Sequence, residues 1–96
     1  MSLFVAKHQH SAEACPAQDP EMGAMLLEHL SDESAARQGI SIHGEAVIEG
    51  GHTLYLIADA PDRTTLEAFL APFAMAGDVE ILEANPCSTV VDRAAC

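Results

Sequence analysis

Apolar positions recur along this chain with two different periods, and the switch between them divides it into elements. Leu3-Phe4-Val5-Ala6 followed by Lys7-His8-Gln9-His10 starts apolar and β-capable, and predicts a first strand over 3–10. After a loop containing Pro16, Asp19-Pro20-Glu21 has the form of a helix start, with Asp19 as N-cap and proline at the first helical position. Met22, Met25, Leu26, His29 and Leu30 then fall at three- and four-residue spacing, one apolar stripe of a helix. That helix is expected to run to about Gln38 with Gly39 as its stop. Ser31-Asp32-Glu33-Ser34 could interrupt it, because these side chains compete for backbone groups. Residues 40–48 predict a second strand, Glu49-Gly50-Gly51 a hairpin turn, and residues 52–58 a third strand. Pro61-Asp62 opens a second helix with Leu66, Phe69 and Leu70 inward, and Pro72 must kink or end it. Gly77 closes the segment, residues 79–83 predict a fourth strand, and 85–96 reads as a tail.

The order β-α-β-β-α-β is that of the split unit in ferredoxin-like folds: an α+β domain with a four-stranded antiparallel sheet and helices on one face. One domain over 1–96 is expected, its core about 3–84. The crossover rule is taken to set strands one and three side by side, in parallel, at the sheet centre. Both strands are apolar on both faces, Leu3 and Val5 against Phe4 and Ala6, Leu54 and Leu56 against Tyr55 and Ile57. A sheet face without helices should turn polar where it meets water. This one does not, which predicts a homodimer joined sheet to sheet. The arrangement resembles the dimeric α+β barrel superfamily of small proteins, which includes antibiotic-biosynthesis monooxygenases, stress-responsive barrel proteins and small nickel-binding proteins. The likeness spans about residues 3–84 and lies in element order and two-faced strands. It implies the dimeric barrel and, as one line of function, a cofactor-free enzyme such as a monooxygenase, cyclase or isomerase acting on a small apolar substrate.

Charge narrows the partners. Fifteen acids against four basic residues give a net −11, which repels both a phosphate backbone and an anionic membrane surface. No apolar run approaches the ~20 residues of a membrane-spanning helix. The start of the chain does not have the form of a secretory signal. With three cysteines (Cys15, Cys87, Cys96) and no Cys-x-x-Cys pair, reduced thiols in a cytoplasm are expected rather than a disulfide framework.

The candidate chemistry is concentrated in residues 8–16, His8-Gln9-His10-Ser11-Ala12-Glu13-Ala14-Cys15-Pro16. Residues two apart on a strand share a side, so His8 and His10 are co-facial and about 6–7 Å apart at the backbone. Glu13 and Cys15 follow on a loop that can fold back over the strand end. Imidazole with thiolate suits a transition-metal ion, Zn, Cu, Ni or Fe, and not Ca or Mg. The leading expectation is therefore metal handling or minimal metalloenzyme chemistry at His8, His10, Glu13 and Cys15. The same pair also reads as polar residues emerging from a core, or as an acid–base site at His8 or His10 beside an apolar substrate near Tyr55. A structural or regulatory dimer without catalysis is the third reading. With strands one and three parallel, His52 falls at the opposite end, roughly 13–20 Å from His8. It could then join the cluster only from a partner subunit, and His43 would share the end that holds His8. His29 reads as a satisfied core-edge residue, His43 as a surface residue, and Cys87 as a small buried one.

Overall fold

The structure is a computed structural model that describes residues Met1–Cys96. Its strands are β1 (Ser2–Gln9), β2 (Ser41–Val47), β3 (Thr53–Ala60) and β4 (Asp78–Ala84). Helices α1 (Pro20–His29) and α2 (Asp32–Arg37) join β1 to β2, and α3 (Arg63–Phe69) and α4 (Ala71–Ala76) join β3 to β4. A short 3-10 turn, Pro16–Gln18, precedes α1, and α5 (Cys87–Asp92) follows β4. The architecture is α+β, with one open, four-stranded antiparallel sheet in the order β2-β3-β1-β4. No helix is long and apolar enough to cross a membrane.

Local chemistry sets the helix limits. The Asp19 carboxylate accepts from the Glu21 N–H with Pro20 at the first helical position, and Asp62 accepts from Thr65 N–H to start α3. Ser31 does interrupt the first helix: its hydroxyl oxygen accepts from the Ser34 N–H and caps α2, so one amphipathic stripe becomes two helices. Pro72 acts the same way, ending α3 at Phe69 and sitting in the first turn of α4, where its missing N–H leaves no bond unmade. Gly39, at φ +78°, closes α2 in the left-handed region.

Alternate residues of the two central strands face the helices. Phe4, Ala6 and His8 on β1, and Leu54, Leu56, Ala58 and Ala60 on β3, are buried against Leu66, Phe69, Leu70 and Phe73. The opposite face has no helix to meet. Tyr55, Ile57 and Leu82 lie there 38, 44 and 51% exposed, and Ile57 and Leu82 pair with Val5 from either side. Tyr55 therefore belongs to the open face, not to the space between sheet and helices.

One expectation is overturned here. β1 and β3 pair antiparallel, Ser2 opposite Ala60 and Gln9 opposite Thr53. The crossover through α1 and α2 returns the chain so that β2 runs parallel to β1, and the tight hairpin then reverses β3 as it inserts between them. The start of β3 thus adjoins the end of β1, and His52 sits beside His10 in the same chain, its carbonyl accepting from the His10 N–H at 3.2 Å. His52 needs no partner subunit to reach the cluster. His43 moves the other way: it lies at the far end, exposed, with Nε2 2.7 Å from the Asp59 carboxylate. Cys87, expected to be buried, is exposed at the start of α5, a helix the tail was not expected to form.

Candidate metal centre

Three chain segments meet at the corner where β1 ends. His10 extends the strand by one residue. His52 is delivered by the hairpin, in which Gly50 takes φ +70° and His52 itself φ +48°, a region that non-glycine residues seldom occupy. Cys15 comes from the loop after β1, which turns back through Ala14 N–H and Cys15 N–H donating to Ser11 and Ala12 carbonyls. As a result His10, Cys15 and His52 each offer a ligand atom within 4.8 Å of the others, all three half-buried. The edges of a tetrahedral zinc site are about 3.4–3.6 Å, from bond lengths of about 2.1 Å to nitrogen and 2.3 Å to sulfur. Closing the gap takes side-chain rotations of about an ångström, well within what half-buried rings and a loop cysteine can supply.

The imidazoles form a row. The His8 and His10 ring centroids are 5.3 Å apart, and those of His10 and His52 also 5.3 Å. His8 is buried and edge-on to Phe73 at 5.2 Å. Both ring nitrogens of His10 and Nε2 of His8 are buried without a hydrogen-bond partner. Buried polar groups in folded proteins are nearly always partnered, so the two His10 nitrogens at this corner point to something that binds there. Glu13 is exposed on the loop and lies outside the trio. His8 borders the trio through His10 and is not one of the three converging donors.

Burial, and then the neighbouring His52, hold the His10 ring below the usual imidazole pKa. His8 is lowered first by burial and then by His10, while the Phe73 backbone and the Asp78 carboxylate pull the other way. Both rings therefore stay neutral near pH 7, the form that coordinates a metal. The linkage has a definite sign. The unfolded chain takes up these protons below about pH 6.5 and the folded chain resists, so the stability they contribute is present above that pH and lost as the pH falls through it. The metal-free protein should show a urea midpoint that drops between pH 7.5 and 5.5, and the drop should shrink in His8→Phe. An equal drop in both proteins would show that His8 is not held neutral by the fold.

His29, by contrast, is satisfied. Its Nε2–H donates to the Phe69 carbonyl at 2.7 Å and its ring stacks on that of Phe69 with centroids 4.4 Å apart. The sequence signal for His52 was the hairpin itself: a two-strand reversal brings the residue after the turn to the end of the hairpin opposite that of the preceding crossover strand's start. Compared with known protein families, with curated proteins and with solved structures, the chain matches none of them.

Proposed function

We propose that the protein binds one transition-metal ion per chain through His10, His52 and Cys15, and that it serves metal handling or simple metal-assisted chemistry. The observation that carries this reading is the convergence of two imidazoles and a free thiol on one corner, with both His10 ring nitrogens buried and unpartnered. Two nitrogens and a sulfur suit zinc or copper and are wrong for calcium or magnesium. Three protein donors leave a fourth position for water, substrate or an acceptor protein, as in zinc sites that do chemistry rather than hold structure. Such an ion would also give one of the two His10 ring nitrogens the partner it lacks. The apolar open face, Leu3, Val5, Tyr55, Ile57 and Leu82, supports a homodimer formed sheet to sheet, since its centre offers water little to bond.

Native mass spectrometry of the untagged chain loaded with Zn(II) addresses both parts at once. The expected species is a pair of 10.1 kDa chains carrying one zinc each. In solution, His10→Ala and Cys15→Ser should each weaken zinc binding by more than about 100-fold, because even outer partners of a metal ligand are worth about 10–100-fold. Less than about a tenth of an ion per chain would remove the metal reading and leave the dimer standing. A loaded single chain would do the reverse.

A further inference from the structure

A recess of about 250 Å³ opens between α1, α4 and the end of β1, beside the metal corner but not part of it. Met22, Met25 and Leu26 of α1 form one wall, and Pro72, Phe73 and Ala76 of α4 the other. His8 also lines it, and that side chain is only 6% exposed, with Nε2 lacking any hydrogen-bond partner. The one other polar lining residue, His29, already spends its Nε2–H on the Phe69 carbonyl.

These features specify an occupant. A dry cavity of about 150 Å³ accepts benzene, so about 250 Å³ takes a substituted single ring. Thioether, proline and phenylalanine walls give a charged molecule nothing in exchange for its water, and the chain's net −11 further disfavours an anion. A lone water at Nε2 would find too few other polar partners to be held. A wholly apolar ligand would leave Nε2 orphaned. A hydroxyl answers it whichever ring nitrogen carries the proton, since it both donates and accepts.

We propose that this recess binds a small, uncharged, single-ring molecule bearing one hydroxyl, with the hydroxyl on His8 Nε2 and the ring between Met22, Met25 and Phe73. Met22 and Met25, 48 and 71% exposed, form a pliable mouth through which such a molecule enters. This site does not depend on the metal reading, because His8 lies outside the converging trio.

The test is calorimetry on the full chain without added metal, using 4-ethylphenol and ethylbenzene, which differ only by the hydroxyl. The phenol should bind about fivefold tighter, the factor one net hydrogen bond supplies. His8→Phe should bring that ratio to about one while keeping the ring-lined wall. Ala76→Phe, at a half-buried position that tolerates a larger side chain, should fill the recess and weaken 4-ethylphenol by about tenfold or more. Equal binding of the two probes to the unaltered chain would overturn the role of His8. Undiminished 4-ethylphenol binding by Ala76→Phe would overturn the site. Repeating the phenol titration in Cys15→Ser separates the two proposals: this recess should bind as before although the zinc site is gone.

Discussion

Gly77→Ala should lower the melting temperature by about 10–20 °C and detach the metal corner in the same stroke. Gly77 has an extended backbone, φ 175°, so any residue could adopt its conformation. What excludes a side chain there is space. A Cβ at this position would press into the Gln9 carbonyl and stand 3.0 Å from the Gln9 carbonyl carbon and from the His10 Cα. The Gln9 atoms belong to β1, one of the two central strands, paired on both sides with β3 and β4, and they cannot rotate aside. Relief needs the end of β1 to move away from the loop before β4, which in the upper part of the usual overpacking range costs about 2.5 kcal/mol. At roughly 4–8 °C per kcal/mol for a domain of this size, the shift in melting temperature follows. Since His10 is the residue displaced, zinc affinity should fall along with stability, whereas Gly44→Ala, where a Cβ meets nothing within 4 Å, should change neither. A Gly77→Ala protein that melts within about 3 °C of the parent would mean that β1 and the loop before β4 are not in contact.

Phe69→Ala should be the most destabilising single truncation, by about 3–5 kcal/mol. The side chain is fully buried, its ring is one of the largest in the core, and it supports the stacked His29 ring at 4.4 Å. Alanine leaves the backbone carbonyl that accepts from His29 in place but removes the surface against which that ring is held. Against a total stability of about 5–15 kcal/mol for a typical domain, the loss would leave a chain near its folding threshold. Phe69→Leu, which keeps most of the volume, should cost clearly less, and urea denaturation of the pair measures the difference. A Phe69→Ala chain within about 1 kcal/mol of the parent would place that ring outside the core.

What the sequence disclosed was whatever depended on near neighbours. Asp19-Pro20, Ser31, Pro72 and the Glu49-Gly50-Gly51 turn each act through hydrogen bonds or ring geometry within a few residues, and each lies in the structure where its chemistry puts it. The loop bearing Cys15 folds back toward the strand end for a similar reason, through bonds that Ser11 and Ala12 make within their own turn. What was misread depended on direction. Assigning β3 the same sense as β1 sent His52 to the wrong end and His43 to the site, although one hairpin between β2 and β3 already reverses the chain. Depth was the other blind spot. His8 and His10 share a strand side as their spacing required, yet nothing local says that His8 lies under α4 while His10 faces the loop. The methionines of α1 were correctly placed on a helix stripe, but only the gap between α1 and α4 shows that Met22 and Met25 border a hollow instead of filling one.

The conformation of His52 has an energetic corollary. A residue with a β-carbon in the left-handed region is held at a cost of about 1 kcal/mol that glycine would not incur, and two glycines already precede it in the turn. Stability alone therefore argues for a third glycine at position 52. An imidazole there carries a small deficit, and a species bound through it would offset that deficit by lowering the free energy of the native state through mass action.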